Sequence, residues 1–381
     1  MIVGAGPAGS SLALFLAQEG IPSLLIERHS QIGVPLSCAE GVGRDIEDYI
    51  EMEERWICTR LSGARFTYQD GQSFKTHYPQ VGYILDRKIF DRDLAARAVS
   101  SGAKVLIETE AIGIEGNELI VKRNKKIEKI GFRILVGADG VESRVGRWFG
   151  LNTSLKRDEI HSCAQYLLAG IEIDPTVGEF VIGPDIAPGG YIWIFPKGKD
   201  RANVGIGVSP ILAKHSPLFY LERFIRERFP KSSRLERMRG VVGAKILKEF
   251  SKKNVLLVGD AARLTDPISG GGIVNAIHSS KLASSVIKRV LKGNGSLKDY
   301  ERRLEEELLK ELKVREKLRE IALKLKREDF SLLIQFGMKN LKDRDISQIG
   351  TMEIFGMLIK STPRFLRLAG HILPLIGFLK R

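Results

Sequence analysis

The pattern of apolar and polar positions divides the opening of the chain into short elements. The segment MIVGAGPAGSSLALFLAQEGIPSLLIE holds an apolar run, a glycine turn, a helical apolar period from Ser10 to Gln18 and a second apolar run. Apolar residues three and four apart predict a helix, and short apolar runs predict buried strands. Gly20 suits the position after the helix. We therefore predict strand, turn, helix and strand here. The first strand, at residues 1–3, is short, so we expect the fold to accept further residues upstream.

The same periods continue along the chain, with alternation for strands and three-to-four spacing for helices. The predicted elements are a hairpin over residues 61–83 that turns at Asp70 and Gly71, a helix over 87–102, strands in KVLIETEAIGI, ELIVKRN and FRILVGADG, a hairpin in YIWIFPKGKDRANVGIGV, a helix around 218–229, a strand in NVLLVGDAA and mostly helix from 296 onward.

Two strand–glycine–helix units, one at the start of the chain and one near residue 260, enclose a β-rich stretch. This order predicts an α/β fold, α+β overall, with a Rossmann-like cofactor domain assembled from discontinuous segments. The predicted divisions are a cofactor domain at 1–60, 84–150 and 249–295, a substrate and catalytic domain at 61–83 and 151–248, and a helical C-terminal region at 296–381.

Composition adds constraints on the partners. The chain has 381 residues, 43% of them hydrophobic and 28% charged, with a formal net charge of +14. Lys and Arg are interspersed with Glu, as in ERRLEEELLKELKVREKLRE, which is typical of solvated helix faces, so nucleic acid is not expected as a partner. The final segment, STPRFLRLAGHILPLIGFLKR, is basic and apolar. It suits a membrane interface, or equally packing on the protein's own core.

Three widely spaced cysteines, Cys38, Cys58 and Cys163, contain no C-x-x-C pair. An odd number without metal-ligand spacing argues against a disulfide framework or a zinc site and predicts a reducing compartment. No metal site is expected. We predict a cytoplasmic protein, associated peripherally with the cytoplasmic face of the membrane.

The first glycine motif, G-x-G-x-x-G at Gly4, Gly6 and Gly9, lies between a predicted strand and a predicted helix. Its glycines allow a tight turn, close approach of the backbone to a pyrophosphate, and close packing of helix on strand. Glu27 ends the second strand, where a carboxylate accepts hydrogen bonds from ribose hydroxyls. We predict a dinucleotide site here.

A second unit, VGDAARLTDPISGGGIVNAI, repeats this logic. Asp260 follows a strand and suits a ribose or ribityl hydroxyl, although it could instead cap a helix. Gly271, Gly272 and Ile273 open a helix whose N-terminus favours negative charge at the edge of a bound ring.

Together, GAGPAG…E, GADGVES and VGDAA…GGGI resemble the FAD-binding fold of the p-hydroxybenzoate hydroxylase and glutathione reductase superfamily. PGGYIWIFPKGKDRANVGIGV and CAEGV resemble the geranylgeranyl reductase family more closely. The resemblance implies FAD as cofactor. It also implies cofactor contacts at Ala8, Cys38, Ala39, Arg87, Ala111, Asp260, Gly272 and Ile273, with Cys38 facing the flavin as the catalytic candidate rather than as half of a redox disulfide.

The period of two in YIWIF puts Tyr191, Trp193 and Phe195 on one face of a strand, opposite a returning strand that contains Gly205. By the resemblance this face is a wall for a prenyl chain; from the residues alone it could be ordinary core.

The family resemblance implies an FAD-dependent oxidoreductase that saturates the double bonds of geranylgeranyl chains in archaeal digeranylgeranylglycerophospholipids, with hydride from N5 of the reduced flavin. The electron donor would be NAD(P)H or reduced ferredoxin. The alternatives are an aromatic hydroxylase of the same fold, a geranylgeranyl diphosphate reductase, and a non-catalytic lipid-binding flavoprotein.

Overall fold

The computed structural model describes residues 1–344, apart from the side chains of residues 78–81. Its strands are β1 (Ile2–Val3), β2 (Leu24–Ile26), β3 (Gly41–Gly43), β4 (Ile57–Tyr68), β5 (Ser73–Leu85), β6 (Lys104–Leu106), β7 (Thr109–Glu115), β8 (Glu118–Arg123), β9 (Lys126–Gly131), β10 (Leu135–Gly137), β11 (Ile160–Ala169), β12 (Val177–Ile182), β13 (Tyr191–Pro196), β14 (Arg201–Val208), β15 (Ser233–Gly243), β16 (Ser251–Lys252) and β17 (Val255–Leu257). Its α-helices are α1 (Pro7–Gln18), α2 (Arg87–Ser100), α3 (Arg144–Trp148), α4 (Pro217–Arg228), α5 (Ile273–Leu291), α6 (Lys298–Leu304), α7 (Lys310–Ala322) and α8 (Arg327–Asn340).

A six-stranded sheet in the order β16-β17-β10-β1-β2-β6 carries the glycine motifs. β1 pairs in parallel with β10 and β2, so that Ile2 lies between Val136 and Leu25 in the centre of the sheet. These short strands are almost entirely apolar and buried, as expected for a parallel sheet covered on both faces. α1 and α5 pack on each other above the strands, and the predicted Rossmann-like unit is confirmed.

An eight-stranded sheet in the order β15-β11-β14-β13-β12-β4-β5-β3 forms the second layer. The β13–β14 hairpin lies near its centre, with Trp193 opposite Gly205. Ile192 and Ile194 point to one side, where they join a buried cluster with Leu221 of α4. The period of two in the sequence therefore gives this strand one core face and one opposite face.

The structure differs from the predicted elements around residue 108. KVLIETEAIGI, predicted as one strand, forms β6 in the six-stranded sheet and β7 in a separate three-stranded sheet with β8 and β9. Glu108 between them has a φ of 49°, a left-handed conformation that breaks the extended chain. β3 and β9 were not predicted, and only Leu135–Gly137 of FRILVGADG is a strand.

The sheets do not coincide with the predicted domain limits. β3 and the first residues of β4 pair within the eight-stranded sheet, although the sequence assigns residues 1–60 to the cofactor domain. This pairing crosses the predicted limit at residue 60, but a sheet need not coincide with a domain, and the division into domains stays a prediction.

The C-terminal helices lie against both sheets, as seen where Tyr300 of α6 donates to the Leu257 carbonyl and α8 packs on Phe74. Within residues 1–344, no helix is long and apolar enough to cross a membrane. The basic, apolar segment at residues 361–381 lies outside the described residues.

The β13–β14 hairpin generates a stability prediction. A Cβ at Gly205 would lie 2.3 Å from Cζ2 of Trp193, so Gly205→Ala should displace the indole and destabilise the fold by about 1–3 kcal/mol, as overpacking does. On the same strand, a Cβ at Gly207 would first meet Cys163 Sγ at 3.5 Å, an ordinary contact. Denaturant unfolding should show the larger loss for Gly205→Ala; equal losses would contradict this packing role.

Candidate functional site

A cavity of about 710 Å³ lies where the glycine turns of the six-stranded sheet meet the aromatic face of the eight-stranded sheet. The predicted site residues that line it are Gly6, Ala8, Cys38, Ala39, Arg87, Tyr191, Trp193, Phe195, Asp260, Gly271, Gly272 and Ile273. Residues separated by more than 200 positions in the sequence therefore share one cavity.

The first glycine turn has the shape that a pyrophosphate needs. Gly4 has a φ of +101°, and a Cβ there would lie 2.4 Å from the Ala138 carbonyl oxygen. A Cβ on Gly9 would lie 1.9 Å from the Gly4 oxygen, so both glycines serve close backbone packing. Gly6, by contrast, faces the open cavity, and a Cβ there would meet no described atom within 4 Å. α1 begins beyond Gly6 without a side-chain cap, which leaves its N–H groups for an anion.

Glu27 lies at the end of β2, beside the first glycine turn. Its Oε2 accepts from the Ala5 N–H at 2.9 Å, and its Oε1 lies 2.7 Å from His29 Nδ1. These bonds fix the carboxylate next to the turn, where spare lone pairs remain for hydroxyl donors. Glu27 is not among the described residues that line the cavity, so its ribose contact stays a prediction.

Two further predicted residues also lie away from the cavity lining within the described chain. Ala111 on β7 is 8% exposed and packs in the core of the six-stranded sheet, so a contact of its backbone with adenine stays a prediction. Gly205 acts indirectly, because its missing side chain makes room for the Trp193 indole.

The second glycine unit brings a carboxylate to the cavity. Asp260 lies in a short 3₁₀ turn at Gly259–Ala262, while the N-cap of α5 is Gly272, so Asp260 does not cap that helix. Burial raises the pKa of Asp260, and Thr265 donates a hydrogen bond to it at 3.2 Å. A Cβ at Gly272 would lie 2.9 Å from Asp260 Oδ1, so glycine is needed beside this carboxylate.

These observations fit a dinucleotide cofactor such as FAD. Two helix N-termini without side-chain caps, those of α1 and α5, open towards the same cavity, and the half-buried carboxylate of Asp260 lies beside the second of them. The glycines leave space that larger side chains would fill, and the uncapped backbone N–H groups remain available as hydrogen-bond donors. Bound phosphates and hydroxyls require both.

Cys38 lines the cavity as a thiol. Burial raises its pKa, and the nearby Arg87 guanidinium opposes this only in part. The Glu40 N–H donates to Cys38 Sγ at 3.2 Å. All three cysteines are free, and Cys163, which also lines the cavity, has its pKa raised to about 12 by burial. At neutral pH Cys38 therefore carries its proton.

Arg87 is the first residue of α2 and faces the Cys38 side of the cavity. Two bonds of 2.7 Å join its guanidinium to the Asp91 carboxylate, and the pair is almost fully buried. Its charge is thereby held in one orientation beside the thiol. Contact between Arg87 and a pyrophosphate stays a prediction.

Glu40 is a site residue that the sequence did not reveal. It has a φ of 69°, is 1% exposed, and accepts hydrogen bonds from three elements. The Arg87 N–H donates to Oε1 at 2.9 Å, and Lys197 Nζ and Asn203 Nδ2 donate to Oε2 at 2.5 and 2.7 Å. The signal in the sequence was only an acid in a glycine-rich loop, because Arg87 lies 47 positions away and the other two partners lie about 160 positions away.

The aromatic wall is wider than YIWIF alone predicts. Tyr191, Trp193 and Phe195 are joined by Phe180, whose ring centroid lies 5.6 Å from those of Tyr191 and Phe195. Phe66 stacks on Phe180 in turn, at 5.4 Å. A long apolar chain can lie against such a surface.

Gln165 joins this wall to the cysteine loop. Trp193 Nε1 donates to Gln165 Oε1 at 2.7 Å, and Gln165 Nε2 donates to the Cys38 carbonyl oxygen at 3.2 Å. The indole and the thiol-bearing loop are thus fixed relative to each other.

Comparison with known proteins places this cavity in a family context. Residues 1–43 match the model of an FAD binding domain, and residues 159–244 match the geranylgeranyl reductase catalytic domain. The second match covers β11 to β15, which carry Phe180, Tyr191, Trp193 and Phe195 of the aromatic wall but not Phe66 of β4.

Two similar curated proteins are both named digeranylgeranylglycerophospholipid reductase. The one from Methanosarcina acetivorans is 40% identical over 92% of this chain and 86% of its own length. The one from Methanothrix thermoacetophila is 37% identical over 98% of both chains.

Solved structures agree on the architecture. A geranylgeranyl bacteriochlorophyll reductase-like protein from Thermoplasma acidophilum superposes with a TM-score of 0.90 at 31% identity, covering 97% of this chain and 98% of that one. Aklavinone-11 hydroxylase superposes with a TM-score of 0.65 at 18% identity, covering 93% of this chain and 71% of the hydroxylase. The latter likeness shows only that the fold is shared.

The predicted FAD-binding fold and the FAD cofactor are confirmed by these comparisons. The resemblance to geranylgeranyl reductases is confirmed by identities above 35% over nearly the whole chain. The chain therefore belongs to the digeranylgeranylglycerophospholipid reductase family.

Proposed function

We propose that the protein binds the geranylgeranyl chains of an archaeal glycerophospholipid in this cavity. It saturates their isolated double bonds with reducing equivalents from FAD. The observation that carries this proposal is the meeting of three features in one cavity: uncapped glycine turns, an aromatic wall and a neutral thiol. The names of the related proteins support the same substrate class.

FAD, when bound and reduced, supplies the hydride for one alkene carbon. The protein must then hold the alkene within reach and deliver a proton to the other carbon, since an isolated alkene cannot stabilise a carbanion. We propose that Cys38 Sγ holds this proton. Arg87, locked by Asp91, stabilises the thiolate that remains until a proton returns from solvent.

The alternatives make different demands on the site. An aromatic hydroxylase would consume O2 and NAD(P)H, and its fold is shared, so the fold alone does not separate the two. A long wall of Phe66, Phe180 and Trp193 suits an extended chain better than a single aromatic ring. Geranylgeranyl diphosphate reduction differs only in the head group, and a pure lipid binder would show no product.

A membrane contact and an electron donor complete the proposal. The lipid must enter from a bilayer, and the net charge of +14 favours an anionic surface on the cytoplasmic side. Ile211, Leu212 and Phe219 are exposed by 53%, 42% and 49%, and Leu212 lies beside Gly189 at the cavity. We propose this apolar surface as the peripheral contact, and NAD(P)H or reduced ferredoxin as the source of electrons.

Anaerobic incubation tests the proposed function. Dithionite-reduced holoprotein mixed with digeranylgeranylglyceryl phosphate should yield products heavier by successive pairs of hydrogen atoms in mass spectra. Protein without FAD is the control. Bound but unchanged lipid would contradict an enzymatic role. In a separate aerobic assay with NAD(P)H and an aromatic substrate, oxygen uptake with a hydroxylated product would favour the hydroxylase.

Cys38→Ala should keep FAD and lose most of the saturation activity, because the site would lack its thiol proton. We expect a loss of at least tenfold in kcat, or about 1.4 kcal/mol. Cys163→Ala is the matched control, since Cys163 lines the same cavity on β11. Activity of Cys38→Ala within twofold of the wild type would rule out the catalytic role.

Glu40→Gln should destabilise the protein by about 3 kcal/mol, because it leaves the Lys197 ammonium buried without its carboxylate. Chemical denaturation measures the loss. Glu54→Gln, at an exposed ion pair with Arg60, should change stability by less than about 0.5 kcal/mol. A neutral result for Glu40→Gln would show that the cysteine loop does not depend on this carboxylate.

A further inference from the structure

Arg319 on α7 brings a positive charge to the apolar cavity. It is only 6% exposed and lines the cavity together with Ala322 and Leu323. α7 belongs to the C-terminal helical region, away from both glycine turns in the sequence. The proposed reaction uses Cys38 and Arg87, and the Arg319 guanidinium has no role in it.

The partners of Arg319 leave part of its guanidinium unsatisfied. Nε donates to His161 Nε2 at 3.0 Å and Nη1 donates to the Asp158 carbonyl oxygen at 3.2 Å. Nη2 is buried and has no hydrogen-bond partner within the described structure. No carboxylate of residues 1–344 lies within the 4.0 Å of an ion pair.

Other buried arginines show how unusual this is. Arg263, 4% exposed, pairs with Glu159 at 2.9 Å. Arg87, whose side chain is 11% exposed, pairs with Asp91 at 2.7 Å. Even the more exposed Arg315, one turn before Arg319 on α7, pairs with Asp266 and Glu311. A buried charge without a close counter-charge costs several kcal/mol. Asp158, Glu316 and Glu320 act on Arg319 only from beyond ion-pair distance, so an anionic ligand in the cavity would relieve this cost.

His161 holds this charge in position. Because its Nε2 accepts from Arg319, the hydrogen bond assigns the ring proton to Nδ1. Nδ1 is also buried without a partner of good geometry, although the Pro267 carbonyl lies near enough to favour protonation of the ring. Burial, with the charge of Arg319, lowers the pKa of His161 to about 4, so the ring is neutral.

Arg319 and His161 lie at one end of the cavity, and the Cys38 loop lies at the other. His161 and Gln165 lie four residues apart on β11, which is about 13 Å along a strand. Gln165 holds the Cys38 loop. On β13, two strands away, Tyr191 lies in the row of Cys163, between His161 and Gln165, and Trp193 lies in the row of Gln165 itself. The cavity thus has a cationic end, an aromatic middle and a thiol end.

We propose that Arg319 and His161 form the binding site for the phosphate of the lipid head group, so that the prenyl chain runs from there along the aromatic wall to Cys38. The inference rests on the proposed function and adds to it the recognition of the head group. A guanidinium with a free N–H suits a phosphate monoester, which accepts several hydrogen bonds and carries negative charge, and the neutral His161 ring holds this guanidinium in position through Nε2.

The test compares two lipids that differ only in the phosphate, digeranylgeranylglyceryl phosphate and digeranylgeranylglycerol. With reduced holoprotein, Arg319→Met should raise KM for the phosphorylated lipid roughly tenfold to a hundredfold and leave KM for the neutral lipid unchanged. Arg319→Lys keeps the charge and should fall between. Arg315→Met, on the same helix, should affect both lipids equally. An equal effect of Arg319→Met on both lipids would overturn the head-group site.

The wild type alone separates this inference from the proposed function. If it saturates neither lipid, the proposed function fails. If it saturates both with the same KM, the function stands and the head-group site is wrong. The flavin absorbance shows whether each variant retains FAD, and if Arg319→Met does not fold, this wild-type comparison decides.

Inorganic phosphate distinguishes a head group from a free anion. Competition with the phosphorylated lipid in the wild type, weakened in Arg319→Lys and lost in Arg319→Met, supports the head-group site. Phosphate that binds without raising KM for the phosphorylated lipid would indicate a free-anion site and overturn the proposal.

Discussion

The buried carboxylate of Glu40 is the interaction on which the cavity depends. It accepts from the first N–H of α2, from Lys197 at the end of the β13–β14 hairpin and from Asn203 on β14. One side chain therefore joins the helix that carries Arg87 to the sheet that carries the aromatic wall. A buried carboxylate is stable only when its oxygens are fully bonded, and here the bonds themselves define where the two layers meet.

The hydrogen bonds of Glu40 also fix the position of the cysteine loop. The left-handed backbone at Glu40 turns the chain so that Cys38 lines the cavity while the Glu40 carboxylate bonds to the helix and the hairpin around it. Gln165 completes the arrangement from the other side by bonding both the loop and Trp193. A thiol held this way has few alternative positions, which is what proton delivery to a fixed carbon requires.

Local patterns in the sequence were enough to predict the glycine turns, the hairpins and the two faces of YIWIF, because each depends on neighbouring residues. The family resemblance supplied FAD and the prenyl lipid. Glu40 and Arg319 escaped prediction, since their partners lie far away in the chain and no spacing rule relates them. The break at Glu108 was missed for another reason: a left-handed glutamate in an apolar stretch leaves no mark in the composition.

The two faces of β13 have different roles, and this affects which substitutions the protein can accept. Ile192 and Ile194 hold the sheet to α4, while Tyr191, Trp193 and Phe195 face the cavity. The residues that keep the strand folded are thus different from those that shape the space beside it. Substitutions on the cavity face of β13 can therefore change which prenyl chain fits while the packing of β13 against α4 stays the same. Substrate preference can diverge in this way without a change of fold.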